Sequence, residues 1–352
     1  MKYSRFLTVL LLIGCAGNKT ETKDHASPER LAKASWALVP FVKVDDANPV
    51  LQAGDNKFIC PILKDTVKWD EKDVFNPAAV VKDGKVYMIF RAEDKIGKYA
   101  GTSRLGLAVS DDGLHFTKQP TPIFYPDNDS MKVYEWEGGV EDPRIVESTE
   151  GLYVMTYTSY DGDTARLCLA TSPDLQHWSK HGRVVKKGWS KSGAIVSKRV
   201  GEKIIAEKIN GKYWMYWGDT NLFTATSDDL IHWEASFESV LKPREGKFDS
   251  RLVESGPFAL LTDKGILLLY NGMTLDKSGA YCSGQALFDI NDPTKLVDRL
   301  DEYFMKPDKP YEITGQVNQV CFIEGMVPFK GKWFLYYGTG DSKIAVATGP
   351  EL

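Results

Sequence analysis

Asn76-Pro-Ala-Ala-Val-Val-Lys-Asp-Gly-Lys-Val-Tyr-Met-Ile-Phe runs from a polar opening through an apolar stretch and a Gly turn into an aromatic strand. The phrase returns as Glu141-Asp-Pro-Arg-Ile-Val-Glu-Ser-Thr-Glu-Gly-Leu-Tyr-Val-Met-Thr-Tyr and as Glu207-Lys-Ile-Asn-Gly-Lys-Tyr-Trp-Met-Tyr-Trp. It returns again as Glu254-Ser-Gly-Pro-Phe-Ala-Leu-Leu-Thr-Asp-Lys-Gly-Ile-Leu-Leu-Leu-Tyr and as Glu324-Gly-Met-Val-Pro-Phe-Lys-Gly-Lys-Trp-Phe-Leu-Tyr-Tyr. Short-strand repeats at a spacing of roughly 50–70 residues predict an all-β, five-bladed β-propeller. Such a fold brings the first strand of every blade to one axis, so residues distant in sequence meet at one mouth.

Outward from these phrases, three second halves share a signature. They are Leu107-Ala-Val-Ser-Asp-Asp-Gly-Leu-His-Phe, Leu169-Ala-Thr-Ser-Pro-Asp-Leu-Gln-His-Trp and Phe223-Thr-Ala-Thr-Ser-Asp-Asp-Leu-Ile-His-Trp. Each reads as a strand, an Asp-rich turn that bonds its own backbone, and an aromatic that packs between blades. His115, His177 and His232 occupy one equivalent place and read as structural. The segment Ser35–Asp70 is expected to supply a closing strand to the last blade. Residues 35–352 then form one catalytic domain.

The chain of 352 residues is 43% hydrophobic and 26% charged, with a formal net charge of -4. No basic run follows a nucleic-acid backbone, which argues against a nucleic-acid partner. Cys60, Cys168, Cys282 and Cys321 lack metal-ligand spacing, and buried free thiols are the reading for each. Met1-Lys-Tyr-Ser-Arg, the apolar run Phe6–Ile13 and Gly14-Cys15 describe an export signal, with a lipobox that ends at Cys15. Residues 1–15 are therefore expected to be a lipoprotein-type signal, residues 16–34 a flexible tether, and Cys15 a lipid anchor to the bacterial cell envelope, on its periplasmic or surface face.

The blade openings are rich in ionisable groups: Asn76, Arg91, Asp94, Asp142, Arg144, Glu207, Lys208, Asp219, Glu254, Glu324 and Asp341. Carboxyls crowded at one mouth raise one another's pKa, so one can hold a proton while another stays ionised. That pairing suits glycoside hydrolysis, with one carboxyl as acid and one as base. Asp142 stands out in Trp136-Glu-Gly-Gly-Val-Glu-Asp-Pro-Arg-Ile. Two glycines allow close backbone approach, a Pro follows the acid, and strand alternation turns Arg144 to the same side as Asp142. Glu324, taken alone, reads as structural.

Gly138-Gly-Val-Glu-Asp-Pro-Arg-Ile resembles the hallmark of glycoside hydrolase family 130. Asn76-Pro-Ala, Phe90-Arg-Ala-Glu-Asp, Ser103-Arg-Leu-Gly-Leu-Ala, Glu207-Lys-Ile-Asn-Gly-Lys-Tyr and Tyr336-Tyr-Gly-Thr-Gly-Asp match in order. The resemblance implies five-bladed propellers that act on β-mannosides by phosphorolysis or hydrolysis, without cofactor or metal. It implies Asp142 as general acid, acting through a hydroxyl of the bound mannose. It further implies that Asn76, Arg91, Asp94, Arg104 and Asp341 hold the sugar, and that Arg144 orients the acid.

Two departures bear on the acceptor. Where phosphorylases of the family carry a basic pair after the third aromatic strand, this chain reads Tyr216-Trp217-Gly218-Asp219. Where they often carry Tyr-His-Gly, it reads Tyr270-Asn271-Gly272. Phosphate needs cationic partners; here Lys208 and Arg144 remain. Glu207 and Glu254 match by position the acids that activate water in the hydrolytic branch. The expectation is an exported, inverting β-mannosidase on β-1,2-linked manno-oligosaccharides. The alternatives are a β-mannoside phosphorylase that yields mannose 1-phosphate and a non-catalytic glycan-binding propeller.

Overall fold

A computed structural model describes residues 34–99 and 101–350. The expected signal, Cys15 and residues 16–33 of the tether lie outside the described residues. The protein is all-β: its two described helices, Lys132–Glu135 and Pro310–Ile313, have four residues each.

The strands run as antiparallel meanders. The first is Asp73–Lys82, Lys85–Glu93, Ser103–Ser110 and Thr117–Lys118. The second is Gly139–Glu147, Tyr153–Tyr160, Ala165–Ser172 and Ser179–Arg183. The third pairs Ala194–Val200 with Lys212–Trp217, then Phe223–Ser227 and Trp233–Ala235. The fourth is Leu252–Thr262, Gly265–Met273, Tyr281–Phe288 and Leu296–Arg299. The fifth is Cys321–Phe329, Lys332–Thr339 and Lys343–Gly349, and here the segment that precedes the first meander returns. Val42–Lys43 and Leu51–Gln52 both pair with Lys343–Gly349, as expected of a closing segment from residues 35–70.

The five first strands touch in cyclic order, each against the next and the fifth against the first. All but the third are buried on both faces, which is why they read as near-continuous apolar runs instead of alternating ones; the third, Ala194–Val200, is buried only over its first four residues. Apolar clusters fill the wedges between neighbouring meanders. Phe116, from the first His-aromatic motif, packs edge-on against Tyr336 of the fifth meander, with ring centroids 5.7 Å apart. The His of each motif stays exposed, its Nδ1 2.7 Å from the turn's own Asp in all three. These Asp side chains also accept backbone N–H groups within the turn, which is the expected structural role.

The third meander differs from the repeat read in the sequence. Its first strand is Ala194–Val200, opened by Lys191-Ser192-Gly193, and not the Glu207 phrase. Between its first two long strands the chain makes an extra hairpin: Lys203–Ala206 folds back on Val200, and Lys208–Ile209 pairs with Lys212–Trp217. The Gly-aromatic rhythm of residues 207–217 is the turn and second strand of the meander. Glu207, expected to open the meander, lies in the inserted hairpin.

Candidate active site

Four of the five first strands break register near their openings. The slips fall at Phe75/Pro77, opposite Asp142-Pro143, at Ser255/Ala259 and at Ile323/Gly325. A bulge inserts one extra residue and re-aims a side chain. At three of the slips the extra position holds a polar residue with Pro or Gly after it (Asn76, Asp142 and Glu324), and in the fourth strand Gly256-Pro257-Phe258 is passed over after the paired Ser255. Pro77, Pro143 and Pro257 fit because the slipped position needs no N–H for the ladder. Gly325 fits because a Cβ there would stand 2.7 Å from the Pro77 carbonyl oxygen. Asn76 (φ 45°), Asp142 (φ 49°), Ser192 (φ 57°) and Asp341 (φ 49°) all adopt left-handed backbone without being glycine. Such strained positions gather at functional sites, and here they bring their side chains together.

Asp142 is the centre. Its Oδ1 accepts from Asn76 Nδ2 (2.9 Å) and Arg91 Nη1 (3.0 Å), and its Oδ2 lies 3.5 Å from Lys191 Nζ. Burial works against the ionised form. Arg91, Lys191, the Asn76 bond and Arg144 outweigh it and hold the carboxyl well below the usual range. Arg91 also reaches Glu93 and Glu141 at 2.7 and 2.9 Å through Nη2. Burial pushes Glu141 up, and the neighbouring Asp142 charge adds to the rise. Asp341 is pushed up to about 6 by burial and by Asp142 and Glu93, against the pull of Arg91 and Lys191.

Across the pocket stands Glu254, whose Oε1 accepts a hydrogen bond from the Ser192 hydroxyl. Burial pushes its carboxyl up to about 7. Asp219 adds to the rise, while Lys191 and Arg144 oppose it. Burial alone would lower the Lys191 ammonium, but Asp142, Glu254, Glu141 and Asp219 raise it, so it stays charged. Arg144 is locked from below. Its Nε donates to the Gly256 carbonyl (2.8 Å), Nη2 to Ser255 O (3.0 Å) and Nη1 to the backbone oxygen of Asp142 (3.1 Å). Nη1 also lies 2.7 Å from Glu324 Oε1. Neither Glu324 oxygen makes an aligned hydrogen bond, and burial holds that carboxyl well above its ordinary value.

The structure therefore brings together Asn76, Arg91, Asp142, Arg144, Glu254 and Asp341, but not every residue the sequence analysis named. Glu207 sits beside Val196, about 13 Å along the strand from Ser192 at ~3.3 Å per residue. Its carboxylate pairs with Lys198 at 2.8 Å. Lys208 is exposed, with its ammonium 4.8 Å from the Tyr213 ring centroid. Both were displaced by the same error of phase in the third repeat. Asp94 and Arg104 bind each other in a buried pair, where Asp94 also takes the backbone N–H groups of Ile96 and Thr102. Together they pin the loop from Ile96 to Thr102, and the polar partners they show are each other, this loop's backbone and the Cys60 thiol. Arg144 holds the acid, but through its backbone: the bulge at 142–143 cancels simple alternation, and the guanidinium on the carboxylate is that of Arg91.

Lys191 and Ser192 went unnoticed in the sequence because their strand opens without a carboxylate. Ser-Gly before Ala194-Ile195-Val196, matching the polar-then-Pro/Gly step of the other openings, was the available signal. Gly138 and Gly139 do allow the close approach foreseen for them: Ser103 N–H donates to Gly138 O at 2.8 Å, and a Cβ on Gly139 would stand 2.2 Å from Ser103 O. The four described cysteines are buried free thiols. Among the described residues, no cluster of His, Cys, Asp or Glu could hold a metal ion.

A buried carboxylate clasped by Asn and two cations, facing a second carboxyl near neutrality, can bind hydroxyl groups and move a proton across a polar bond. Comparison with known proteins agrees with a carbohydrate site. A family profile described as β-1,4-mannooligosaccharide phosphorylase matches residues 62–352. The 1,2-β-oligomannan phosphorylase of Thermoanaerobacter sp. (strain X514) is 34% identical over 289 residues, covering 80% of this chain and 90% of that protein. A glycosyl hydrolase from Bacteroides ovatus has a solved structure at 48% identity and TM-score 0.86, covering 89% of this chain and 94% of its own. At 47% identity and TM-score 0.86, a further solved structure covers 89% of this chain and 94% of its own. It comes from a report that the family of mannoside phosphorylases contains glycoside hydrolases that target β-1,2 mannosidic linkages in Candida mannan.

Proposed function

Since the chain belongs to glycoside hydrolase family 130, we propose that it is a five-bladed β-propeller enzyme that cleaves β-mannosides, β-1,2-linked manno-oligosaccharides foremost, and passes the mannosyl group to water. Five meanders whose first strands touch in a cycle, with the segment before the first meander paired onto the fifth, support the propeller. The choice of acceptor rests on the charge of the pocket. Glu93, Glu141, Asp142, Asp219, Glu254, Glu324 and Asp341 stand around Arg91, Arg144 and Lys191. Each of these cations already faces a carboxylate, and Lys72 is taken by Glu93. A phosphate dianion needs free cationic donors and is repelled by crowded carboxylates in a buried site; a water molecule is not.

Phosphorolysis is the second reading, and the curated relatives back it better than they back hydrolysis. The 1,2-β-oligomannan phosphorylase is one of them, and the family's own description is that of a phosphorylase. The hydrolytic reading draws on the pocket residues and on the solved relatives called hydrolases.

In the proposed reaction Asn76, Arg91 and Asp341 hold the mannosyl unit beside Asp142. Glu254, once ionised, takes the proton of the attacking water, and Asp142 gives one toward the leaving oxygen through a sugar hydroxyl. With no sugar bound, Asp142 is the ionised group and Glu254 holds a proton up to pH about 7. Sugar hydroxyls that enter between Asp142 and its cations replace charges by dipoles, which raises Asp142 toward the protonated form an acid needs. The deciding experiment incubates linkage-defined mannobioses with and without phosphate and reads the first-formed anomer by proton NMR. Free α-mannose in both conditions is expected. Mannose 1-phosphate formed only with phosphate would establish the second reading in its place.

We also propose that the chain is exported and lipid-anchored at Cys15 in a bacterial envelope, on the strength of the basic start, the short apolar run and Gly14-Cys15. In cells fed a labelled fatty acid, the wild type should carry label and sediment with membranes, and Cys15→Ala should do neither. An unlabelled wild type would rule the anchor out.

A further inference from the structure

The loop that carries Lys191 and Ser192 into the pocket also carries Trp189, two residues before Lys191. Its indole is 51% exposed. An exposed Trp at a pocket rim is usually free to turn, but this one is fastened. Nε1 donates to Asp219 Oδ2 at 2.6 Å. Asp219 follows Gly218, whose N–H donates to the backbone oxygen of Lys191 at 2.9 Å. The indole is thus held at its polar edge by the strand end that closes on the same loop, and much of its surface is left open. Asp219 also acts on Lys191, Glu254 and Tyr281, so the fastening point lies within the electrostatic reach of the pocket.

The pocket has two sides. Asn76, Arg91 and Asp341 come from the first and fifth meanders and meet Asp142 from one direction. Lys191, Ser192, Asp219, Glu254 and Tyr281 come from the third and fourth. A mannosyl unit held by the first group leaves the rest of an oligosaccharide to run out over the second, where Trp189 is the fixed aromatic surface. One face of a pyranose ring presents C–H groups, which pack on an indole as apolar surfaces do, while its hydroxyls stay in water. A ring already held in place loses little freedom when a ligand stacks on it. We infer that Trp189 is the platform for the sugar next to the cleaved mannose, on the leaving side of the bond, and that it makes the site prefer manno-oligosaccharides over short aglycones. The inference rests on the β-mannoside reading of the pocket.

The test compares wild type, Trp189→Ala and Trp189→Phe on β-1,2-linked mannobiose and mannotriose. Trp189→Ala should raise KM about tenfold, equal to ~1.4 kcal/mol of lost stacking, with a smaller change in kcat. Trp189→Phe should recover most of the loss, because a ring returns. Calorimetric titration with mannotriose in the Asp142→Asn background, where turnover is suppressed, reads the platform by binding and should show the same weakening when Trp189→Ala is added. Unchanged KM and unchanged mannotriose affinity in Trp189→Ala would overturn the platform while leaving the pocket reading intact. A wild type that consumes no β-mannoside would overturn the pocket reading itself, and the titration would then decide the platform separately. Asp219→Ala, which frees the indole without removing it, should weaken mannotriose in the same direction by less; a larger loss than in Trp189→Ala would assign the effect to the carboxylate.

Discussion

Asp142→Asn should lower kcat on unactivated mannobiose by about 10²–10⁴-fold, the range expected when a general acid is removed. Asn keeps the size and can still bond Asn76, so the loss should not reflect collapse of the pocket. What it removes is the proton donor and the negative charge that Arg91, Lys191 and Arg144 surround. A substrate with a good leaving group, such as a dinitrophenyl β-mannoside, needs no proton on the departing oxygen. The variant should therefore lose far less on it than on mannobiose. Equal losses on both substrates would mean that Asp142 only holds the sugar, and full turnover of mannobiose would remove it from the chemistry. Measuring kcat for the two substrates side by side separates these outcomes.

The second large effect is expected at Glu254. As a base it must be ionised, and burial lifts its carboxyl to about 7. At saturating substrate, where the bound sugar keeps Asp142 protonated, kcat should climb about tenfold per pH unit below the pKa of Glu254 and fall again where Asp142 loses its proton. Glu254→Gln should remove both the limb and most of the rate. The same shift makes a stability prediction of definite sign. A carboxyl whose folded pKa is raised binds its proton more tightly in the folded state than in the unfolded chain, where it titrates near ~4.3. Its favourable contribution is complete below the unfolded value and disappears as pH rises through the folded value of about 7. Glu254→Gln should therefore be more stable than wild type at pH 8 and should flatten the fall in stability across the window from about 4.3 to 7. Denaturation midpoints at several pH values check this. A wild type whose rate has no limb near neutrality, with a variant no more stable at pH 8, would leave Glu254 without the role of base.

Activity and stability are thus set against each other at one residue. A buried carboxyl that has to lose its proton is a cost to the folded chain, and the surrounding structure bears it because the site needs that group poised near neutrality.

Much of this site was legible before any coordinates. Asn76, Asp142, Glu254 and Asp341 sit at openings or turns that recur with the repeat, and the repeat gathers such positions. Arg91 was found through its motif, and the structure puts its guanidinium on the Asp142 carboxylate. What failed was phase. Glu207-Lys208 precedes a Gly turn and an aromatic strand, as a blade opening does, yet it belongs to a hairpin inserted after the first strand of the third meander. The true opening, Lys191-Ser192-Gly193, has no carboxylate and so did not resemble its counterparts. Asp94 and Arg104, expected at the sugar, pair with each other in the structure, a contact that the order of residues does not reveal.

By itself, the sequence determined the all-β class, the recurring strand–turn–strand unit, the return of residues 35–70 to the last unit and the family. All of these follow from local pattern: side-chain alternation, turn chemistry and motif order are properties of neighbouring residues. Only the tertiary structure decided which charges share a pocket, that Lys191 stands between Asp142 and Glu254, and which carboxyl is ionised there. Those outcomes depend on burial and on distances of a few ångströms between residues far apart in the chain, such as Asn76 and Asp142, Ser192 and Glu254, or Arg144 and Glu324. Coulomb energies and desolvation act through space, and the chain's order does not record them.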